Sequence, residues 1–269
     1  MKTVVWEGRW ALITGASSGL GESFARQLAA NKCNLVITAR SEDKLRSLAA
    51  ELSAQHGVAV EVVTCDLGAP GGAVKLCAAV DQLGHDIEHL VSNAGFGLGG
   101  PLVELDAARQ GDMVRLNCEA LTVLDAHFGR GMVARGSGGI LHVASIAGYQ
   151  PVPYMATYGA TKAYVVSLSL ALGEELRGAG VRVSALCPGP VATGFQAVAG
   201  RGIVPSQRRA VLSADDTVAA GLRAYAAGRD LCVPGGHNKL GAFAVKLLPR
   251  RMVLRAVGKM MRSKPVLQA

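Results

Sequence analysis

A tyrosine and a lysine four residues apart, Tyr158 and Lys162, are the side chains of this sequence best suited to chemistry. On a helix, this spacing puts the phenol and the ammonium on one face. A free tyrosine has a pKa of about 10, and a nearby positive charge lowers that pKa by favouring the phenolate. The pair therefore predicts a general acid/base, although the same spacing also occurs on solvated helix faces. A cofactor site and a hydroxyl partner upstream in the sequence would favour the general acid/base over the solvated helix face.

The elements that must position this pair are strands and helices in alternation. Apolar runs predict strands at residues 10–14, 33–39, 58–64, 87–92, 139–143, 181–186 and 231–233. Helical stretches separate them, among them 19–31 and one that begins at Ser213. Continuous apolar strands between helices predict a parallel sheet covered on both faces, which is an α/β doubly wound Rossmann fold. Ligands of such sheets bind beyond the carboxyl ends of the strands.

The first predicted strand runs into a glycine-rich turn that opens a predicted helix. Glycine permits close approach of the backbone to a pyrophosphate, and the helix N-terminus offers N–H groups to phosphate oxygens. The spacing is Gly-x-x-x-Gly-x-Gly rather than Gly-x-Gly-x-x-Gly. The residues of the turn expected to bind a dinucleotide are Gly15, Ser17, Ser18, Gly19, Leu20 and Gly21.

The next three strand ends carry further nucleotide-binding candidates. Arg40 stands where an NAD site places an acid, and an arginine there can bind a 2′-phosphate, which favours NADP(H). The alternative is that Arg40 is a solvated loop residue. Asp66 and Leu67 follow the third strand, where a carboxylate can accept from an adenine amino group. Asn93-Ala94-Gly95 follows the fourth, with small residues and an amide that can brace the loop.

With these residues in order, residues 8–235 resemble the short-chain dehydrogenase/reductase family, in its NADP-preferring subgroup. The resemblance rests on the glycine-rich turn, on Asn93-Ala94-Gly95, on a catalytic tetrad and on the segment after the sixth strand. Ser92 departs from it mildly, since many members have a second asparagine there. The tetrad is Asn117, Ser145, Tyr158 and Lys162, and the nicotinamide-contacting residues are Pro188, Gly189, Val191 and Thr193.

The resemblance implies a role for each member of the tetrad. Tyr158 would exchange a proton with a carbonyl or alcohol oxygen, and Lys162 would lower the tyrosine pKa and hold the nicotinamide ribose. Ser145 would hydrogen-bond the substrate oxygen, and Asn117 would kink its helix and support a water relay to Lys162. NADP(H) would supply the hydride. The resemblance also implies a homo-oligomer, either a dimer or a tetramer.

The composition predicts one domain without a metal site. The 269 residues are half hydrophobic, with 34 glycines and no linker or repeat. Six cysteines without a Cys-x-x-Cys pair predict buried reduced thiols, and His85 and His89 are expected at the surface. The N-terminus lacks the apolar region of a signal peptide, and no run reaches the ~18 apolar residues of a membrane span. The expected location is therefore cytoplasmic, with peripheral contact at a membrane as the alternative.

The expected substrate is a small lipophilic carbonyl or alcohol compound. Its pocket is expected to use segments near Tyr158 and the loop 194–209, with a largely apolar lining. The expected lining residues are Phe96, Leu98, Ile146, Tyr149, Pro151, Tyr154, Met155 and Phe195. The resemblance extends to 3-oxoacyl- and hydroxysteroid-type reductases, which implies reduction of a ketone or aldehyde. The alternative is a non-catalytic NADP-binding sensor or a membrane-peripheral scaffold on the same fold.

The positive charge of the chain lies in its tail. Residues 1–230 balance 20 basic against 20 acidic side chains, whereas residues 231–269 carry eight basic and no acidic ones. We divide the chain into a catalytic domain, 1–236, and a basic extension, 237–269. After Pro249 the extension predicts an amphipathic helix with basic and apolar faces. That helix would lie on an anionic membrane surface, or dock on its own domain or a subunit partner. Nucleic acid is not expected, because no aromatic platform accompanies the charge.

Overall fold

Seven parallel strands form one sheet. The structure, a computed structural model, describes residues 4–262, apart from the side chains of residues 205, 206 and 246. The strands are β1 (Trp10–Thr14), β2 (Asn34–Ala39), β3 (Val60–Thr64), β4 (Ile87–Ser92), β5 (Gly138–Val143), β6 (Val181–Leu186) and β7 (Leu231–Cys232). Their order in the sheet is β3-β2-β1-β4-β5-β6-β7. This confirms the doubly wound α/β fold, and the predicted strand bounds differ from the observed ones by only one or two residues.

Helices cover both faces of the sheet. They are α1 (Gly19–Ala30), α2 (Glu42–His56), α3 (Gly72–Asp81), α4 (Ala107–Val114), α5 (Leu121–Arg135), α6 (Ala156–Arg177), α7 (Phe195–Val198), α8 (Ala214–Ala226), α9 (Gly236–Leu247) and α10 (Arg250–Arg262). The helix predicted to begin at Ser213 is present as α8, and the Ser213 hydroxyl caps it by accepting from the Asp216 N–H at 3.0 Å. Among the described residues, no helix has both the length and the hydropathy needed to cross a bilayer.

The core has two layers, one on each face of the sheet. In β1, Ala11 and Ile13 pack into one layer and Leu12 into the other, because successive side chains of a strand point to opposite faces. Both layers are apolar, which explains why the strands are continuous hydrophobic runs. The chain order reverses between β1 and β4, and the carboxyl ends of these two neighbours form the crevice where such sheets bind ligands.

The buried position of His89 contradicts the surface position expected for it. Its ring lies against Trp6, its Nδ1 is 2.8 Å from the Tyr225 hydroxyl, and its Nε2 is 3.2 Å from the Val5 carbonyl. The N-terminal segment therefore covers a histidine on the sheet. His85 is half-buried and stacks on Trp10. The six cysteines are free, as expected, and three of them are buried.

The C-terminal extension forms two helices, α9 and α10. The helix predicted after Pro249 is confirmed, and Val253, Val257 and Met261 of α10 are buried against Val152. The apolar side of α10 thus docks on its own domain, which was one of the alternatives expected. Residues 263–269, including the basic Lys264, lie outside the described residues. The boundary at 236/237 falls at the start of α9 and stays a prediction.

Candidate active site

Tyr158 and Lys162 lie one turn apart on the buried face of α6. The two side chains are only 9% and 6% exposed. The Lys162 ammonium is 5.8 Å from the centre of the Tyr158 ring and donates to the Val143 carbonyl at 2.7 Å. Because Val143 ends β5, this hydrogen bond fixes α6 to the carboxyl end of the sheet. The structure therefore places the pair in the crevice rather than on a solvated face.

Burial dominates the protonation of both groups. It raises the pKa of Tyr158 to about 12, against a hydrogen bond with Ser145 that lowers it. It lowers the pKa of Lys162 to about 8, against the raising influence of Cys118 and Cys187. The expected lowering of the Tyr158 pKa by Lys162 is therefore not found in this structure. Desolvation of the phenolate outweighs an ammonium whose own charged form is disfavoured by the same burial.

Ser145 stands where β5 ends and supplies the hydroxyl partner of Tyr158. Its Oγ accepts from the Ala147 N–H at 3.1 Å and lies 3.4 Å from the Pro188 carbonyl. Through its hydrogen bond with Tyr158, Ser145 joins the loops after β5 and β6 to the tyrosine. The hydroxyl and the phenol are thereby held on one wall of the crevice.

Asn117 lies in a π-helical segment, Arg115–Ala120, between α4 and α5. Its side chain clamps Phe96: Oδ1 accepts from the Phe96 N–H at 3.1 Å, and Nδ2 donates to the Phe96 carbonyl at 2.9 Å. Nδ2 is also 3.0 Å from the Thr161 hydroxyl on α6. The irregular helix predicted for Asn117 is present, and its amide holds the loop after β4 against α6. The water relay to Lys162 stays a prediction.

The glycine-rich turn packs tightly under Asn93. Gly15 has φ +69°, and a Cβ there would lie 2.9 Å from the Asn93 amide nitrogen. The Asn93 amide donates to the Thr14 carbonyl at 2.8 Å, which confirms that Asn93 braces the loop. A Cβ on Gly21 would lie 2.1 Å from the Gly15 carbonyl oxygen. Gly21 is therefore needed for the close packing of α1 on the turn.

One cavity of about 1150 Å³ connects these elements. Among the predicted cofactor-binding residues, only Gly21 does not line the cavity, because Gly21 faces Gly15 instead. Among the predicted catalytic residues, Asn117 does not line the cavity and lies behind its wall. The predicted residues that do line it are Gly15, Ser17, Ser18, Gly19, Leu20, Arg40, Asp66, Leu67, Asn93, Ala94, Gly95, Ser145, Tyr158, Lys162, Pro188, Gly189, Val191 and Thr193.

The first turn of α1 fits a phosphate group. Ser18 is the N-cap residue of α1, yet its side chain makes no capping hydrogen bond. Gly19 has φ +59°, and a Cβ there would approach Thr193 to 3.4 Å, so glycine keeps this side of the cavity open. The first N–H groups of a helix have no partner within the helix, which suits them to phosphate oxygens.

The nucleotide end of the cavity has a second cation that the sequence analysis did not identify. Lys44 lies one turn into α2, and it lines the cavity together with Arg40 and Ser41. The spacing of Arg40 and Lys44 would have been the available signal. Asp66 is exposed at the third strand end and accepts from the Gly68 N–H at 2.9 Å. This end of the cavity therefore carries two cations, Arg40 and Lys44, beside the Asp66 carboxylate, and the cations can bind a 2′-phosphate.

Apolar side chains line most of the opposite end of the cavity, and the Arg109 guanidinium lies 5.7 Å from the Phe96 ring centre there. Phe96, Ile146, Met155 and Phe195 line it as predicted, with the Phe195 ring 5.4 Å from that of Tyr158. Leu98, Tyr149, Pro151 and Tyr154 are not part of the lining. Residues of α10 were missed, because nothing in the sequence shows that a helix so far along the chain returns to the site. They are Val257, Met260 and Met261.

A sequence model described as short chain dehydrogenase matches residues 9–202. The chain belongs to this family. A solved short-chain dehydrogenase from Sphingobium yanoikuyae, in complex with NADPH, is 31% identical, with a TM-score of 0.81 over 97% of this chain and 98% of the other. A 7beta-hydroxysteroid dehydrogenase structure is 26% identical, with a TM-score of 0.85 over 96% and 100%. The fold is thus shared over nearly the full length.

Two curated relatives carry the name very-long-chain 3-oxoacyl-CoA reductase. The very-long-chain 3-oxoacyl-CoA reductase of Phaeosphaeria nodorum is 37% identical over 182 residues, which is 65% of this chain and 53% of that protein. That of Bos taurus is 34% identical over 192 residues, which is 70% of this chain and 61% of that protein. The chain spans less than two thirds of the length of either relative.

Proposed function

We propose that the protein is an NADP(H)-dependent reductase that interconverts a lipophilic ketone or aldehyde with its alcohol. The convergence of Ser145, Tyr158 and Lys162 on one buried wall of the cavity carries this proposal. To one side of that wall the lining is cationic, and to the other it is largely apolar. A charged dinucleotide and a lipophilic substrate would thus meet at the tyrosine.

Each side chain has one task in this proposal. Bound NADPH supplies the hydride that reduces the carbonyl carbon. Tyr158 donates its proton to the carbonyl oxygen, and the Ser145 hydroxyl hydrogen-bonds that oxygen as negative charge develops on it. The raised pKa of Tyr158 keeps the phenol protonated at neutral pH, which suits the direction of reduction. Lys162 would hold the nicotinamide ribose, and Asn117 positions the loop at Phe96.

The preference for NADP(H) over NAD(H) rests on Arg40. Its exposed guanidinium lines the cavity with Lys44 at the end of β2, where NAD sites place a carboxylate. A carboxylate there would repel a 2′-phosphate, whereas a guanidinium can bind it through two N–H groups. The NADPH complex of the Sphingobium yanoikuyae relative supports the same choice.

The substrate class rests on the apolar end of the cavity. Phe96, Ile146, Met155 and Phe195 offer no charge to a substrate, so a long acyl chain or a steroid-like ring system would fit their surface. Both classes occur among the names of the related proteins. We infer a bulky lipophilic carbonyl compound of 3-oxoacyl or hydroxysteroid type.

A carbonyl panel tests the proposal. NADPH absorbance would be followed with short aldehydes, long-chain 3-oxoacyl compounds and ketosteroids. We expect turnover with at least one lipophilic class. Tyr158→Phe should abolish turnover while NADPH binding persists, and Tyr164→Phe, exposed on the same helix, is the matched control. NADPH binding by the unmodified protein with no turnover on any compound would favour the non-catalytic sensor instead.

A homo-oligomer and a cytoplasmic location complete the proposal. The family resemblance supports the homo-oligomer, and the cytoplasmic location stays a prediction. Light scattering of the purified protein would give the oligomer mass. A monomer at micromolar concentration would contradict the proposed homo-oligomer.

A further inference from the structure

The C-terminal helices pack on the catalytic domain, and the inner side of α10 forms part of the active-site wall. Val245 of α9 and Val253 of α10 pack into one cluster around Val152. Three residues of α10 line the cavity, and the Arg201 side chain of the loop 194–209 donates to the Met261 carbonyl. The tail is therefore a wall of the substrate pocket, and its outer side faces away from that pocket.

The outer side of α9 is a stripe of exposed apolar residues. Leu240, Phe243 and Leu247 are 69%, 60% and 70% exposed. Their spacing of three and four residues puts them on one face of the helix. Leu248, just after α9, and Met252 of α10 are also exposed, at 46% and 58%. Among the described residues, six of the fifteen exposed large hydrophobic side chains fall within residues 240–254, so the exposure is clustered rather than scattered.

The outer side of α10 is basic. Arg251, Arg255 and Lys259 repeat every four residues on the face opposite the buried Val253 and Val257. Across residues 4–262, the salt bridges of the protein involve none of these three cations. No acidic residue occurs from residue 231 to the end of the chain to neutralise them.

We propose that this surface, here called the tail patch, binds the surface of an anionic lipid bilayer. The tail patch consists of Leu240, Phe243, Leu247, Leu248, Arg250, Arg251, Met252, Arg255 and Lys259. Apolar side chains beside a row of cations match the two layers of a bilayer surface, acyl chains below anionic headgroups. Docking there holds α10, and the pocket behind it, close to a bilayer in which a lipophilic carbonyl compound dissolves. This last step rests on the proposed function.

A second copy of the chain fits the tail patch less well. A symmetric dimer contact puts the same patch on both sides of the interface. Arg251, Arg255 and Lys259 would then face their own copies with no carboxylate from the tail between them. Like charges across an interface are unfavourable, whereas phosphate headgroups supply the missing negative charge.

Vesicle co-sedimentation of the full-length protein tests the tail patch. Vesicles of phosphatidylcholine alone would be compared with vesicles of phosphatidylcholine and phosphatidylglycerol. We expect binding to the anionic vesicles only, weakened by salt. The triple variant Arg251→Glu, Arg255→Glu, Lys259→Glu should bind at least about 100-fold more weakly, because the loss of the three cations alone costs about fivefold each near the surface. A control with the same charge change is Lys75→Glu, Arg130→Glu, Arg223→Glu, all exposed elsewhere.

A second variant separates the apolar contribution. Leu240→Ser, Phe243→Ser, Leu247→Ser keeps the charges and should also weaken vesicle binding, while Val103→Ser, the most exposed large hydrophobic residue, should not. Equal binding of both triple variants and the unmodified protein would overturn the proposal. So would a fall in oligomer mass for the serine variant without vesicle binding by the unmodified protein, because the patch would then join two copies.

The same preparations distinguish this inference from the proposed function. Vesicle binding needs no substrate, and turnover of a water-soluble ketone needs no vesicles. Turnover without vesicle binding overturns the tail patch and leaves the reductase. Vesicle binding without NADPH turnover on any carbonyl compound overturns the reductase and leaves the patch.

Discussion

Replacing Lys162 by methionine should change how the stability of the protein depends on pH. Burial lowers the Lys162 pKa from 10.5 to about 8. At pH 7 the lysine is charged both in the folded and in the unfolded chain, so a shift of that size destabilises the folded state by about 3 kcal/mol. Between pH 8 and pH 10.5 the unfolded chain binds more protons than the folded one. The stability therefore rises with pH through this window, and the penalty disappears above it.

Lys162→Met removes this titration but keeps an unbranched side chain of similar length. At pH 7 the variant should gain about 3 kcal/mol from the removed charge and lose roughly 1–3 kcal/mol with the hydrogen bond to the Val143 carbonyl. The second contribution does not depend on pH. The free energy of unfolding of the unmodified protein should therefore rise by about 2–3 kcal/mol relative to the variant from pH 7 to pH 10.

Urea unfolding without cofactor, followed by the fluorescence of Trp6 and Trp10, measures this difference. Exposed Lys75→Met is the matched control and should leave the shape of the pH curve unchanged. Two curves for Lys162→Met and the unmodified protein that run parallel from pH 7 to pH 10 would refute the reasoning. The variant should also lose NADPH turnover, so a gain in stability at neutral pH would show a stability–activity trade-off at this position.

Three further substitutions test the cofactor site and the core. Arg40→Asp should shift the ratio of kcat/KM values for NADPH and NADH by about tenfold or more toward NADH, since a guanidinium–phosphate contact becomes a repulsion. Gly21→Ala should lower the free energy of unfolding by about 1–3 kcal/mol and weaken NADPH binding, because its Cβ would clash with the Gly15 carbonyl. Asp125→Ala should lower the free energy of unfolding by about 3 kcal/mol, because Asp125 lies 2.9 Å from the fully buried His142.

Each of these substitutions has a matched control in the chain. Arg46→Asp, on α2 but outside the cavity, should leave the NADPH/NADH ratio unaltered. Gly111→Ala, in a helix with open space around the new Cβ, should cost nothing. Asp81→Ala breaks a surface pair with His127 and should lower stability by less than about 1 kcal/mol. If a control substitution has as large an effect as the substitution it is matched with, the physical reason given for the latter is wrong.

The strand ends could be predicted from the sequence because an apolar run followed by polar or glycine residues marks both the end of a strand and the position of the binding residues. β1, β2, β4, β5 and β6 are largely buried, whereas the edge strand β3 is only half-buried, and polar or glycine residues mark where these strands stop. Arg40, Asp66 and Asn93 could therefore be assigned to one edge of the sheet. Gly21 shows the limit of this reasoning, since a glycine in a binding motif can serve the packing behind the site instead.

The residues that the sequence could not place depend on contacts distant along the chain. His89 is expected at the surface, yet Val5 and Tyr225, which lie more than 80 residues away along the chain, cover it. Met261 reaches the cavity because α10 returns across the domain to Val152. Amphipathicity showed that α10 has an apolar face, but not which surface that face would cover.

For the Tyr158–Lys162 pair, the spacing in the sequence predicts that the two groups are neighbours, but it does not predict how their surroundings change their pKa values. A four-residue interval places the ammonium near the phenol and, in water, would lower the phenol pKa. In the crevice, burial acts on both groups and disfavours both charges, so it works against the effect that the spacing predicts. The hydrogen bond with Ser145 partly offsets the rise in the Tyr158 pKa. The resulting neutral phenol is a proton donor at neutral pH, and a carbonyl oxygen that gains negative charge is the acceptor that such a donor requires.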